Sequence, residues 1–431
     1  MPKSRIHYGW TVALLAFLTM LVAAGAGSSA GVLIVPLEKW FGWSRATISS
    51  AVSLRIVLYG LIGPFAAAFM ERFGIRFTIV LALIITSIAI ALTTLVWAPW
   101  QLILLWGVVV GCGTGMIGMT MGALVVNRWF KERQGLVMGL LTASSATGQL
   151  LFLPLMASVI VNHGWQTGVL MIAGAILLVV TPVIIFVRNR PEDIGLLPFG
   201  QVSPTAMIIS GVPRSPVATA FRCLVKASHS HQFWLLFASF LVCGASTSGL
   251  VGIHLVPMCM DHGIPEVRAA GLLAMMGVFD LIGTTLSGWL SDRWDNRYLL
   301  FWYYGLRGIS LIYLPYAMDK SFYGLPLFAV FYGLDWIATV PPTVRLIMEH
   351  FGTEDGGVIW GWLVAGHQVG GGVAALAAGI VRTAYGSYLF AFISGGVLCV
   401  VAAILVLGLD HGQKALNSQI AAVQALADAA D

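Results

Sequence analysis

Residues 168–187 read GVLMIAGAILLVVTPVIIFV, a run of twenty residues without a charged side chain. A helix rises about 1.5 Å per residue, so a run of about 20 apolar residues crosses the hydrocarbon core of a bilayer. Twelve runs of this kind are predicted to span a membrane, near residues 9–36, 46–70, 76–98, 100–127, 135–161, 166–188, 232–258, 266–290, 298–317, 322–348, 357–381 and 386–409. The pattern predicts a polytopic helical membrane protein.

The composition of the whole chain supports this prediction. Of 431 residues, 58% are hydrophobic and 10% are charged, and the mean hydropathy is +0.90. A soluble domain carries roughly 25% charged residues, so this chain cannot cover itself with a hydrated surface. Disordered chains, disulfide scaffolds and coiled coils are excluded as well. A transmembrane barrel alternates polar and apolar residues in segments of about ten, and these apolar runs are far longer.

The distribution of lysine and arginine predicts the orientation. Fifteen of them fall in the N-terminus, the even-numbered loops and the tail, against five on the opposite side. Because cytoplasmic loops carry the excess of positive charge, we expect both termini in the cytoplasm of a cell whose inner membrane holds the protein. The formal net charge of +5 does not indicate a nucleic-acid partner.

Polar segments divide the chain into four parts. We predict an N-terminal six-helix bundle over residues 1–188, a cytoplasmic linker over 189–231, a C-terminal six-helix bundle over 232–411 and a cytoplasmic tail over 412–431. The linker is rich in Pro, Ser and basic residues and is predicted to be a loop on the membrane surface. The tail is rich in Ala and Gln and is predicted to form a short surface helix.

The two bundles are copies of one unit, because they align at a single constant offset, the one that places Gly31 on Gly252. The pairs matched at this offset are Gly31/Gly252, Pro36/Pro257, Gly42/Gly263, Arg72/Arg293, Arg76/Arg297, Phe130/Phe351, Gly135/Gly356 and Val137/Val358. Shared Gly and Pro at matching helix ends indicate the same backbone bends. Six helices return the chain to its starting side, so the copies are parallel and related by an axis along the membrane normal. The predicted fold is all-α, with twelve transmembrane helices in two bundles that rock around a central site.

Two loops resemble the loop motif of the major facilitator superfamily, and the resemblance covers essentially the whole chain. They read ERFGIR over residues 71–76 and GWLSDRWDNR over residues 288–297. The resemblance implies charge pairing that latches one conformation, and the residues implied are Glu71, Arg72, Arg76, Asp292, Arg293 and Arg297. The alternative is a simple positive-inside anchor. The first copy departs from the motif, with Glu71 in place of Asp.

Three further strings are similar to bacterial members of the monocarboxylate porter family. They are HYGW at residues 7–10, RWFKERQG at 128–135 and RPEDIG at 190–195. Gly139 and Gly148 follow the second string in span five, as in that family. The similarity implies a small carboxylate substrate.

Carboxylates inside predicted spans are the candidates for proton coupling, since an ionisable group in hydrocarbon costs a few kcal/mol. Asp280 lies in the middle of span eight, where a carboxylate that changes its protonation state could couple transport to protons. Asp335 in span ten is the second candidate, and it shares one helix face with Tyr332 and Trp336. The alternative for either residue is a permanent pair with an arginine.

One predicted feature of the substrate site comes from a position where this chain differs from the monocarboxylate porters. In the monocarboxylate porters an Arg that holds the substrate carboxylate follows the span-eight Asp by four residues, and here that position is Thr284. Arg55 in span two, with Tyr59 one turn further on, is the candidate for the missing positive charge, and Arg307 is the second choice. The departure puts a short monocarboxylate in doubt as the substrate.

His254 and Tyr332 complete the predicted substrate contacts. Resemblance implies a substrate or proton contact at His254, and a titratable imidazole suits either role. The alternative is a core histidine bonded to a backbone carbonyl that Pro257 frees. The central site is predicted between spans 1, 4 and 5 on one side and spans 7, 8, 10 and 11 on the other.

Two other classes of function compete with transport of an anion. A copper(I) importer would use thioether and imidazole ligands, and the candidates are Met116, Met119, Met121, Met258, Met260 and His254. A transporter-like membrane sensor would need a signalling domain, which the chain does not show. The five cysteines lack metal-site spacing, and the nucleotide-binding and hydrolase motifs are missing, so no enzyme, cofactor or metal site is predicted. We therefore predict a monomeric proton-coupled symporter of a small organic anion.

Overall fold

The computed structural model describes residues 7–201, 216–319 and 324–410. The tail predicted over 412–431 and residues 202–215 of the predicted linker lie outside these ranges. Within them the regular structure is helical, apart from one isolated bridge between Phe130 and Phe199. The predicted all-α class is confirmed.

Twelve helices correspond in order to the twelve predicted spans. They are α1 Tyr8–Phe41, α2 Arg45–Leu61 continued by Gly63–Phe73, α3 Ile75–Leu92, α4 Pro99–Trp129, α5 Gln134–His163, α6 Trp165–Phe186, α7 His231–Asp261, α8 Glu266–Ser291, α9 Asn296–Asp319, α10 Gly324–Gly352, α11 Asp355–Tyr385 and α12 Leu389–Val406. The linker also contains a helix, Pro216–Ser228, where the sequence predicts only a loop.

Ten of the described helices are long and apolar enough to cross a membrane, and an eleventh is added if the two parts of α2 form one span. Helix α9 is not among them. Its 24 residues suffice in length, but Arg297, Arg307 and five tyrosines lower its hydropathy.

The helix starts repeat at the predicted offset. Three pairs of helices begin at positions separated by this same offset, α2 and α8 at Arg45 and Glu266, α3 and α9 at Ile75 and Asn296, and α5 and α11 at Gln134 and Asp355. The turns before α2 and α8 contain Gly42 and Gly263, whose φ angles are +70° and +77°. Glycine adopts this left-handed conformation without steric cost, so the duplicated sequence pattern reflects a duplicated backbone.

The two halves meet along long helices. Helix α2 packs along α11, where the bare Cα atoms of Gly372 and Gly379 lie against Ser53 and Ser49. Helix α5 packs along α8, and Gln149 donates from Nε2 to the carbonyl oxygen of Leu273 at 3.3 Å. These two contacts flank the space in which a central site can form.

Helix α10 is interrupted near its middle. Residues 336–339 form turns rather than a helix, and Pro341 and Pro342 follow directly. Proline cannot donate a backbone hydrogen bond and disfavours helical geometry in the preceding residue. The break leaves backbone N–H and C=O groups inside the protein, and these need side-chain partners.

Candidate functional site

A cavity of about 210 Å³ lies between the two halves, at mid-length of the helices that line it. Its wall comes from α1, α2, α4, α5, α7, α10 and α11. The side chains with polar groups in the wall are Ser28, Arg55, Tyr59, Thr114, Ser145, Gln149, Ser248, Trp336 and Gln368. Six of the seven helices predicted to surround the central site therefore contribute to the wall. The seventh, α8, does not, and α2 contributes instead.

Arg55 places a positive charge in this wall. Its side chain is 8% exposed, its Nε atom has no hydrogen-bond acceptor, and it forms no ion pair within the described ranges. The guanidinium lies against α1 at Gly27, where a Cβ would stand 3.1 Å from Nη1. Tyr59 lies one helical turn further along the same wall. A buried charge without a counter-ion is costly, so this wall favours an anion.

Asp280 does not line the cavity, and it forms a hydrogen bond with the interrupted segment of α10. Its Oδ1 atom accepts hydrogen bonds from the Ile337 backbone N–H and from the Thr284 hydroxyl, both at 2.9 Å. Ser287 donates from Oγ to the carbonyl oxygen of Ala338 at 2.5 Å. Thr284 therefore orients Asp280 in this structure and does not lie in the cavity wall.

Arg307 holds the same break from α9. It donates from Nε to Oδ2 of Asp335 at 2.6 Å, and from Nη2 to the carbonyl oxygens of Asp335 and Trp336 at 2.5 and 3.3 Å. Its Nη1 also donates to the sulfur of Cys243 at 2.9 Å. The side chain of Arg307 is completely buried, and Asp335 has one buried oxygen, Oδ1, without a hydrogen-bond partner among the described residues. Arg307, the second choice for the substrate charge, is thus already paired.

His254 and Tyr332 are fully buried and do not line the cavity. His254 donates from Nε2 to the carbonyl oxygen of Ala375 at 2.8 Å, which leaves Nδ1 to accept from the Tyr388 hydroxyl at 3.2 Å. The carbonyl belongs to α11 and is not one freed by Pro257. The Tyr332 hydroxyl donates to the carbonyl oxygen of Ser246 at 3.0 Å.

A network of charged side chains joins the two halves near the C-terminal end of α1. Arg45 donates from Nη1 and Nη2 to the two oxygens of Asp261 at 2.8 and 2.7 Å, and from Nε to Glu38 at 2.8 Å. Arg382 donates from Nε to Asp261 at 2.7 Å. Arg45 also donates to the Tyr388 hydroxyl at 3.2 Å and so connects His254 to the network. Sequence reasoning missed this network, since its members lie far apart in the chain.

The predicted latch residues contact their own halves in this conformation. Asp292 pairs with Arg345 of α10, and the Arg293 guanidinium lies 4.2 Å from the centre of the Trp289 ring. Arg297 pairs with Asp295 at 2.7 Å. In the first copy, Glu71, Arg72 and Arg76 form no ion pair within the described ranges.

The three strings that resemble the monocarboxylate porters meet in space. His7 donates from Nε2 to the Leu197 carbonyl oxygen at 3.0 Å, just beyond the third string. The rings of Trp10 and Phe130 lie 5.3 Å apart, and Phe199 lies 5.9 Å from Phe130. Backbone hydrogen bonds also join Phe199 to Trp129 and Lys131. The strings therefore form one junction among the start of α1, the α4–α5 loop and the start of the linker.

Comparison with known families agrees with this architecture. The profile of the Major Facilitator Superfamily matches residues 15–361 and 272–427. The chain belongs to the major facilitator superfamily. It is a membrane transporter, as the resemblance implied. The relatives include "Uncharacterized MFS-type transporter YcxA" of Bacillus subtilis, 27% identical, with 93% of each chain covered. "Monocarboxylate transporter 13" of Rattus norvegicus is 26% identical, and the match covers 94% of this chain and 89% of the relative.

Solved structures show the same fold. A D-xylose–proton symporter superposes with a TM-score of 0.70 and 15% identity, covering 95% of this chain and 99% of the symporter. A bacterial homologue of the human lysosomal transporter Spinster, inward-facing and occupied, also gives a TM-score of 0.70 with 15% identity, over 94% and 97% of the two chains. The predicted fold, two bundles of a major facilitator protein, is confirmed.

Proposed function

We propose that this transporter is a symporter of protons and a small organic anion, and that Arg55 binds the anion. The observation that carries the proposal is the guanidinium of Arg55 in the wall of the central cavity, which forms no ion pair within the described ranges. The hydroxyl of Tyr59 lies in the same wall and can donate a hydrogen bond to a carboxylate oxygen. Relatives named as monocarboxylate transporters support a carboxylate as the anion.

Charge balance supports one proton for each anion. Among the described residues, the Arg, Lys, Asp and Glu side chains that line the cavity or contact the α10 break from α8, α9 or α10 itself are Arg55, Arg307, Asp280 and Asp335, and the charges of these four sum to zero when all are ionised. A bound monovalent anion adds one negative charge in a region of low dielectric, where uncompensated charge is costly. Uptake of one proton by a carboxylate restores neutrality, so the loaded carrier can change conformation without a buried net charge.

Asp280 is proposed as the residue that takes up this proton. Both of its described hydrogen bonds end on Oδ1, so Oδ2 can carry a proton while Oδ1 keeps its contacts with Ile337 and Thr284. Asp335 is the second candidate, because its Oδ1 atom is buried and has no hydrogen-bond partner in the part of the chain that the structure describes. Protonation of Asp335 would break its ion pair with Arg307, whereas Asp280 forms no ion pair within the described ranges.

The charge network and the predicted latch are proposed to control how the two bundles move. The Arg45–Asp261 network closes one end of the central region, and we propose that it opens when the two bundles rock to expose the other side. The latch role of residues 71–76 and 292–297 is proposed for the opposite conformation. We propose a monomeric transport unit in the inner membrane with both termini in the cytoplasm, as the lysine and arginine distribution indicates.

A soft-metal importer is less well supported. Met20 is the only methionine among the described wall residues of the central cavity. The described ranges also contain no group of three or more His, Cys, Asp or Glu side chains that could hold a metal ion.

The test is a flux assay on purified protein in proteoliposomes that contain a pH-sensitive dye. An inward gradient of small monocarboxylates should acidify the interior of vesicles that hold the wild-type chain, and vesicles without protein should stay unchanged. Ionophores that clamp the membrane potential should leave the rate unchanged, because one proton accompanies each monovalent anion. Uptake of labelled anion without acidification would contradict proton coupling, and copper(I) uptake without anion uptake would contradict the substrate class.

A further inference from the structure

A second polar pocket lies at the end of the N-terminal half where α1 begins. Its volume is about 330 Å³. It is lined by the end of α2, the end of α4 and the segment that follows α6, with Glu71, Arg72, Phe73, Gly74, Arg128, Asn189, Arg190 and Asp193 as its residues. It is separate from the central cavity and shares no lining residue with it.

Positive charge is in excess around this pocket. Five arginines (Arg72, Arg76, Arg128, Arg188 and Arg190) lie in or next to it, against three carboxylates (Glu71, Glu192 and Asp193). None of the five arginines forms an ion pair in the part of the chain that the structure describes. Arg128 is half-buried, and its one described hydrogen bond is to the carbonyl oxygen of Asn189 at 3.4 Å.

The backbone of the pocket also favours an anion. Helix α3 begins next to it, and a helix N-terminus carries partial positive charge. Asn189 accepts from the Arg76 backbone N–H at 3.0 Å through Oδ1, so this side chain fixes the segment after α6 against the start of α3. The arginine at position 190 is thereby held beside Arg128.

Apolar surface continues directly from the pocket. Phe69, Phe73 and Phe77 form a row, with ring centres 4.5 and 6.2 Å apart. Phe73 and Phe77 are 48% and 52% exposed, and the Arg72 guanidinium lies 5.3 Å from the centre of the Phe73 ring. A basic pocket next to exposed aromatic rings at a membrane boundary suits a ligand with an anionic head and apolar chains.

We propose that this pocket binds the phosphate group of an anionic phospholipid, with Arg72, Arg128 and Arg190 around the phosphate and the phenylalanine row along an acyl chain. The positive-inside distribution assigns the lipid to the cytoplasmic leaflet. A soluble phosphate anion would use the same arginines but would gain nothing from the phenylalanines. The site uses no residue assigned above to the anion or the proton.

The test measures binding of phosphatidylglycerol and of phosphatidylcholine to the full-length protein in detergent by native mass spectrometry. Wild-type protein should retain phosphatidylglycerol in preference to phosphatidylcholine. The double variant Arg128→Gln/Arg190→Gln should bind phosphatidylglycerol more weakly, by about fivefold for each arginine removed. Arg128→Lys/Arg190→Lys keeps the charge and should retain most of the binding. Arg268→Gln is the matched control, because it removes an exposed arginine at the start of α8.

Three results would overturn the proposal. The first is equal phosphatidylglycerol binding by the wild type and by an Arg128→Gln/Arg190→Gln variant whose thermal unfolding is unchanged. The second is equal loss of binding in the Arg268→Gln control. The third is displacement of phosphatidylglycerol by millimolar inorganic phosphate, which would assign the pocket to a soluble anion. Anion flux by the wild type in phosphatidylcholine vesicles tests the proposed function separately, since that site lies elsewhere.

Discussion

Arg45 and Asp261 form a bidentate ion pair between the two halves of the transporter, with N–O distances of 2.7 and 2.8 Å. Arg45 begins α2, Asp261 ends α7, and the arginine side chain is 5% exposed. A bidentate arginine–carboxylate pair is stronger and more directional than a lysine pair. This contact therefore stabilises the conformation in which the two halves meet at this end.

Removal of the carboxylate should open that end. In Asp261→Asn, Arg45 keeps only Glu38 as a charged partner, so the closed conformation loses its bidentate contact between the halves. Loss of one partner of a mostly buried pair costs about 3 kcal/mol. A cysteine introduced at Ser28 in the cavity wall should then react at least about tenfold faster with an impermeant maleimide added from that side. Arg382→Gln is the control, because it removes the more exposed partner and should have a smaller effect. Equal labelling rates in wild type and Asp261→Asn would show that the pair does not control opening.

Substitution of Arg55 should weaken substrate binding more than folding. In Arg55→Gln, a bound anion loses its charged partner, and such a hydrogen bond contributes about 1.5–3 kcal/mol, so KM should rise between about tenfold and a hundredfold. Arg55→Lys should retain part of the affinity, and Tyr59→Phe should raise KM by less than about tenfold, since it removes one neutral hydroxyl. Initial rates of labelled anion uptake measure these changes. An unchanged KM in Arg55→Gln would remove Arg55 from the binding site.

Substitution of Asp280 should separate the proton from the anion. In Asp280→Asn, the amide oxygen can still accept from the Ile337 N–H and from Thr284, so the α10 break keeps its support. We expect exchange of labelled anion to continue when the anion concentration is equal on both sides of the membrane. Accumulation of anion driven by a pH gradient should be lost. Thr284→Val is the matched control. It removes the hydroxyl that donates to the Asp280 carboxylate, but Asp280 can still gain and lose a proton. Full pH-driven accumulation by Asp280→Asn would assign the proton to another residue.

The Arg307–Asp335 pair should contribute strongly to stability when only one partner is lost. Arg307 is completely buried, so Asp335→Asn leaves its charge uncompensated and should lower the free energy of unfolding by about 3–5 kcal/mol. The double variant Arg307→Met/Asp335→Leu removes both charges and should recover part of the loss. Thermal unfolding in detergent compares the two. If both variants lose the same stability, the lost contacts of Arg307 with the α10 carbonyls, and not its charge, would account for the effect.

Much of the fold was predictable because hydropathy and the repeat are local and periodic signals. The twelve apolar runs, the constant offset between the copies and the positions of Gly42 and Gly263 all appear in the helices. The site was predicted less well. Arg55 was a candidate because a charge in a span stands out, and it lies in the cavity wall with Tyr59. His254 was predicted to contact substrate, but its hydrogen-bond partners are Ala375 and Tyr388 of the α11–α12 region.

The remaining site contacts depend on tertiary structure. The residues that hold the α10 break come from α8 and α9, and nothing in the sequence around Asp280 or Arg307 shows which backbone groups they will meet. The helix in the linker was also missed, because its thirteen residues are too few and too polar to resemble a span. Local patterns identify buried charges, but only the packed structure gives each charge its partner.

The duplicated unit carries different side chains at the positions of the proposed anion and proton residues. Position 59 of the first copy corresponds to position 280 of the second, and position 55 corresponds to 276, so Arg55 and Tyr59 stand where the second copy has Met276 and Asp280. A homodimer of an ancestral six-helix unit would present identical side chains at both places. The differences Arg55/Met276 and Tyr59/Asp280 therefore require two separately encoded copies that diverged after duplication. In the function proposed above, this divergence would let selection alter affinity for the anion in one half and proton coupling in the other.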